Sequence, residues 1–230
     1  MKIKYIFKKI IIRLPYGKRI LQIIKTITLL RVKSFRKLFF EVKRGDICID
    51  LGANIGYASM IMWLKGAKKI YALEPNPEAF KKIKSNLYGI KNITVLNLAI
   101  SNTNRKEKLF LHKSIKNISD VEKILELSEA SSLLSDKANI GKSFYDIDAI
   151  DLNTLICEFV EKPDLIKCDI EGAEYIIYDQ LIKFAKEYDI RKIFVECHAK
   201  KYPKYNSLHK KFINLISKNN LQDKFDVSWH

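Results

Sequence analysis

Acidic residues at the ends of apolar runs carry the chemistry open to this chain. Asp50 closes the run Ile47-Cys48-Ile49 and is followed by Gly52-Ala53-Asn54-Ile55-Gly56, a turn of small residues. Glycine lets such a turn take φ > 0 and lie against a ligand with no Cβ in the way. A helix opening behind it offers free N–H groups and the positive end of its dipole. The spacing from Gly52 to Gly56 is G-x-x-x-G, so the G-x-G-x-x-G fingerprint is not met, and alone the turn reads equally as a tight corner or a cofactor loop. Glu74 ends the next apolar run, 22 residues after Gly52. That is near the roughly 20-residue offset at which an acid accepts the hydroxyls of a ribose. The two acids together favour a nucleoside-containing cofactor.

Further acids lie near the C-terminal end. Asp169, Glu171 and Glu174 place three carboxylates within six residues. Their repulsion needs a cation, a proton or bound donors to offset it. The other reading, acids complementing a helix dipole, explains Glu174 better than Asp169. Strand alternation predicts Glu196 and His198 on one face and Cys197 on the other. A histidine there can remove a proton near neutral pH or serve as a satisfied structural residue.

The elements that must position these groups follow from periodicity. Ile47–Asp50, Lys69–Leu73, Ile93–Leu98, Leu165–Asp169 and Ile193–Val195 read as strands. Helices are predicted over Tyr57–Lys65, Pro77–Tyr88, Asp151–Phe159, Tyr175–Tyr188 and Ser207–Lys218, with Ile115–Leu127 weakly helical. The β-α-β-α-β order implies right-handed crossovers and a parallel sheet. Lys106–His112 and Phe144–Ile150 alternate and read as an added antiparallel pair, and Phe225–Trp229 as a last strand with no hairpin partner.

DLGANIGYAS followed by YALEPNPEAFKKIKSNL resembles the first two motifs of a class I S-adenosylmethionine-dependent methyltransferase. NITVLNLAISN (92–102), EASSLL (129–134), DLIKCDIEGAE (164–174) and IFVECH (193–198) are similar, in that order, to the FkbM family, over about Gly45 to His198. The resemblance implies a Rossmann-like, doubly wound, mostly parallel α/β fold that binds S-adenosylmethionine. It implies cofactor contacts from Asp50, Gly52, Ala53, Asn54, Gly56, Glu74, Pro75, Asn76, Ala99 and Asp169. Asn97 or Ser101 would hydrogen-bond the adenine, and the serines at 131 and 132 would lie near the substrate. His198 would be the base, Glu196 its orienting partner or the acceptor's holder, and Asp169 a third catalytic residue. Asp169, Glu196 and Glu171 could also hold a divalent ion such as Mg²⁺, to which oxygen ligands are suited. The implied reaction is O-methylation of a sugar, glycolipid or natural product. The alternatives are an RNA ribose methyltransferase and a non-catalytic cofactor-fold module. No N-P-P-Y-like motif for amino-group methylation is present.

At 230 residues and 47% hydrophobic content the chain suits one ordinary domain. Its net charge of +16 is uneven: residues 1–44 carry 14 basic residues and one acid, a net of +13, leaving +3 for residues 45–230. The segment 1–44 is expected to be helical, broken near Pro15-Tyr16-Gly17, with Ile20, Ile23, Ile24, Ile27 and Leu30 at helical spacing. It packs on the domain 45–230, lies on an anionic membrane, or binds nucleic acid. Interrupting charges argue against a signal peptide and against a membrane span. Cys48, Cys157, Cys168 and Cys197 have no metal-ligand spacing and read as reduced residues of a cytoplasmic protein, one that could sit at a membrane surface.

Overall fold

The computed structural model describes residues 17–229, apart from 138, 201 and 202. Six strands form one parallel sheet: β1 (Ile47–Leu51), β2 (Lys69–Leu73), β3 (Ile93–Leu96), then β7 (Leu165–Cys168), β8 (Lys192–Val195) and β9 (Phe225–Asp226). Their spatial order is β3-β2-β1-β7-β8-β9. The chain therefore winds outward in one direction to β3 and returns to β1's other side for β7. A doubly wound sheet leaves a crevice at such a reversal, beyond the carboxyl ends of the two central strands. β1 and β7 are paired in register, with Asp50 opposite Lys167 and Leu51 opposite Cys168.

A second sheet rises from the end of β3. β4 (Ala99–Ile100) pairs in parallel with β6 (Ile140–Ile150), which pairs antiparallel with β5 (Arg105–His112). The expected strand over 93–98 thus stops at Leu96, and β4 follows it into a second sheet. Asn97 marks the division: its side-chain amide donates to the Glu74 and Pro75 carbonyls at 2.8 and 3.0 Å, where the chain leaves the main sheet. The expected antiparallel pair forms, with β6 beginning at Ile140 rather than Phe144. The weak helix shrinks to α5 (Val121–Glu126), capped by Asp120. The last strand stops at Asp226, whose carboxylate accepts from the Ser228 backbone at 3.0 Å and turns the chain away.

Strand alternation buries both faces of the sheet. Ile49, Leu51, Leu73, Ile166 and Val195 pack against α6 (Leu152–Glu158), α7 (Glu174–Glu187) and α8 (Asn206–Lys218). Cys48, Ile70, Leu165 and Phe194 pack on the other face against Ala58, Ile61 and Met62 of α3 (Tyr57–Leu64). Leu38 and Val42 join this second cluster, so α2 (Lys33–Glu41) belongs to the core. α1 (Gly17–Leu29) precedes it and touches α3 and α4 (Pro77–Asn86). The predicted break at Pro15-Tyr16 lies outside the described residues. No helix among the described residues is long and apolar enough to cross a membrane.

Candidate active site

A cleft of about 1120 Å³, counting the solvent at its mouth, opens at the reversal between β1 and β7. Its floor is the loop Gly52–Asn54. Gly52 has φ +73°, and a Cβ added there would lie 1.9 Å from the Asp169 carbonyl oxygen. Glycine is required because the first loop packs on the end of β7. Gly56, φ +93°, opens α3 and faces Ile83 and Leu87 of α4.

Glu74 stands at one end of the cleft. Its two oxygens accept from the Asn54 and Asn76 backbones at 2.7 and 2.8 Å, which aims the carboxylate at the cavity and fixes the loop beside it. Burial pushes its pKa up to about 7 against these donors. Pro75, Leu98, Ala99, Ile100 and Leu109 form an apolar slot next to it, edged by Ser128, Glu129, Ser131 and Ser132.

The other end is ionic. Asp169, Glu171 and Glu196 reach the cavity, each from just beyond a strand end. Lys167 also lines it, donating to the Gly52 carbonyl at 2.8 Å and lying 3.2 Å from Asp50 and 3.7 Å from Asp169. Burial opposes its charge, but the Asp50 and Asp169 carboxylates outweigh burial and hold it protonated. Burial, with repulsion from Glu196 and Glu171, pushes Asp169 up to about 7. Buried Lys137 grips Glu171 at 2.9 Å. Despite burial, Glu171 stays below the usual carboxylate range because His198 and Lys137 favour its charged form.

His198 sits behind these acids with no exposed surface. Glu174, equally buried, accepts from the His198 backbone at 2.9 Å and meets Nδ1 at 3.0 Å, while its other oxygen accepts from the Gly172 backbone. Nε2 points at Glu171 and Glu196, 3.5 and 3.6 Å away, with no hydrogen-bond partner. Burial disfavours the charged ring, yet Glu171 and Glu174 overcome it and push its pKa up to about 10.

Of the residues singled out in the sequence, Gly52, Ala53, Asn54, Glu74, Pro75, Ala99, Asp169, Glu171 and Glu196 line the one cleft. Five do not. Asp50 is buried, accepts from Ser59 at 2.6 Å and anchors Lys167, so it acts through that lysine. Asn76 is buried and caps α4 by accepting from Glu78 and Ala79. Asn97 is spent on the Glu74 and Pro75 carbonyls, and buried Ser101 is bonded by Arg105 at 3.3 Å. His198 is not on the strand: β8 ends at Val195 and His198 opens a 3-10 turn. Its ring is fully enclosed between carboxylates and does not line the cleft, which opposes the expected role of proton acceptor. Sequence reasoning missed Lys167, Lys137, Phe35 and Trp229, which line the cleft or hold its walls. A lysine inside the apolar run Leu165-Ile166-Lys167-Cys168 was a signal for the first; the others carried none.

Residues 50–222 match the family model described as the methyltransferase FkbM domain. No curated protein matches the chain. Solved structures similar to it include a candidate RNA methyltransferase from Pyrococcus horikoshii, 24% identical over 30% of this chain and 43% of that one, TM-score 0.27. Precorrin-6y C5,15-methyltransferase from Geobacter metallireducens is 12% identical over 80% of this chain and 68% of that one, TM-score 0.41. PRMT6 with SAH is 19% identical over 30% of this chain and 22% of that one, TM-score 0.25. The chain thus spans less than half the length of the first and third of these.

Proposed function

Because the chain belongs to the FkbM methyltransferase family, we propose that it transfers the methyl of S-adenosylmethionine to a hydroxyl of a sugar, glycolipid or natural product. The observation that carries this reading is one cleft with Glu74 beside an apolar slot at one end and Asp169 and Glu196 at the other. When bound, S-adenosylmethionine supplies an electrophilic methyl: the acceptor oxygen bonds its carbon, the carbon–sulfur bond breaks with its electron pair on sulfur, and the hydroxyl proton must leave. The chain's own task is alignment of the acceptor and removal of that proton.

Glu74 takes the ribose hydroxyls, and Ala99 with its apolar neighbours flanks the adenine. The Gly52–Asn54 loop and Lys167 hold the methionine end. Asp169 and Glu196 face the acceptor and receive its proton. His198 acts through them as a positioning residue.

Calorimetry with S-adenosylmethionine is the first test. Glu74→Ala removes a hydrogen bond to a charged acceptor, worth about 1.5–3 kcal/mol, so binding should weaken roughly 10- to 100-fold. No binding by the unaltered protein refutes the enzyme reading. A labelled-methyl assay against glycan, lipid and RNA pools identifies the acceptor. Label confined to RNA refutes the proposed substrate class.

A further inference from the structure

We propose that Asp169, Glu196 and His198 bind a divalent transition-metal ion of the Mn²⁺ class at the open end of β7 and β8. One ligand atom from each residue can be chosen so that all lie within 4.8 Å of one another. Asp169 and Glu196 reach the cavity, while His198 closes the group from behind. Nε2 is fully enclosed, aimed at carboxylates, and makes no hydrogen bond. A buried polar atom left so is costly unless a bound ion or ligand satisfies it.

The far side of the ring is already arranged. Glu174 meets Nδ1 at 3.0 Å, which leaves Nε2 as the nitrogen facing Glu171 and Glu196, where an ion would take the place of a proton. A carboxylate behind a histidine in this way orients metal-ligating imidazoles and raises their basicity. The ligand set differs from the all-oxygen set read in the sequence. Glu171 is engaged by Lys137 at 2.9 Å, and an imidazole takes its place. Nitrogen with two carboxylates suits Mn²⁺, Fe²⁺ or Co²⁺ better than Mg²⁺, which prefers oxygen and water.

Resting on the methyl-transfer reading, the ion's cavity-facing positions suit an acceptor with a second oxygen beside its hydroxyl.

The test uses the whole protein without cofactor or acceptor. MnCl₂ titration, followed by calorimetry and by loss of the free-Mn²⁺ paramagnetic resonance signal, should show one site that MgCl₂ fills more weakly. Glu174→Gln, altering only the positioning carboxylate, should weaken Mn²⁺ about 10- to 100-fold. Glu196→Gln and His198→Gln should abolish the site, with S-adenosylmethionine binding confirming that each variant is folded. No Mn²⁺ binding by the unaltered protein, or affinity unchanged in Glu196→Gln, overturns the proposal. Mn²⁺ binding without methyl transfer refutes only the enzymatic reading.

A second, independent observation concerns α1, which packs Ile23 on the core yet leaves a second apolar face in solvent. Gln22 and Thr26 are buried, while Ile20, Ile24 and Ile27, one face at i, i+4 and i+7, are exposed, Ile27 by 52%. Exposed Lys25, Arg31, Lys33 and Arg36 follow or flank them, and Phe40 is 72% exposed. Residues 1–16 add five basic residues and no acid. Apolar side chains set among cations complement an anionic bilayer surface, where both kinds of residue are favoured. A second copy of this chain would bring like charge to like.

The structure assigns this face to anionic lipid. The protein should sediment with phosphatidylcholine vesicles containing phosphatidylglycerol and not with phosphatidylcholine alone. The double variant Ile24→Asp, Ile27→Asp should lose that sedimentation while keeping S-adenosylmethionine binding. Sedimentation unchanged in the variant, or absent in the unaltered protein, overturns the assignment. Retention on RNA without vesicle binding gives the face to nucleic acid.

Discussion

Glu74 is most useful ionised and is held where ionisation is opposed. Its folded pKa of about 7 exceeds the ordinary 4.5 because burial outweighs the two backbone donors. A raised folded pKa means the fold favours the protonated acid. This group's contribution to stability is therefore fully present below about pH 4.5 and lost as pH rises through about 7. Cofactor hydroxyls donate to the carboxylate and so favour the opposite form. Affinity for S-adenosylmethionine should accordingly fall as pH drops below about 7, approaching a tenfold loss per unit. Calorimetry between about pH 8 and pH 6 reads this, and Glu74→Gln should flatten the profile. A flat profile in the unaltered protein would remove Glu74 from the ribose. The acid itself was legible because its distance from Gly52 is a local feature of the chain. Asp50 was legible as an acid at a strand, but its role was not. That role depends on Lys167, its partner in the register of β1 and β7, more than a hundred residues away.

Elements were read where periodicity and breakers agreed. The first strand, turn and helix lie within a few residues of their predicted ends, as do β2, α4 and α7. The end of β8 at Val195 was legible, but strand alternation does not extend past it, because the chain there has already turned to bring His198 over Glu174. Nothing in Glu196-Cys197-His198 reports the position of Glu174. The reason for Gly52 was likewise non-local. Two glycines of similar φ separate the causes. Gly45, φ +93°, has no atom within 4 Å of an added Cβ, whereas Gly52 meets the Asp169 carbonyl. Gly45→Ala should cost only the left-handed backbone penalty, about 1–2 kcal/mol. Gly52→Ala adds overpacking of about 1–3 kcal/mol and should displace β7's end, weakening S-adenosylmethionine binding as well. Denaturant titration gives both costs. Equal destabilisation would mean that contact between the first loop and β7 is not what fixes Gly52.

At the scale of the whole molecule, the reversal of strand order does what no local motif can. It sets Gly52 and Asp169, far apart in sequence, against each other, and aligns the ends of β1, β7 and β8 around one cleft. The basic N-terminal segment is part of that arrangement. Leu38 and Val42 are buried with Cys48, Phe194 and Trp229, and Phe35 lines the cleft while meeting Trp229 edge-on at 5.6 Å. Arg191, at the foot of β8, donates to the Glu41 carbonyl and to Asp46, tying the end of α2 to the start of the sheet. Composition had divided the chain at residue 44 because the charge changes there. Packing does not follow that division, since apolar burial is indifferent to the sign of the residues left outside. α1 exposes isoleucine and lysine, and α2, which follows it, places Phe35 on the cleft, so a surface that held α1 would also fix the direction from which an acceptor reaches Asp169 and Glu196.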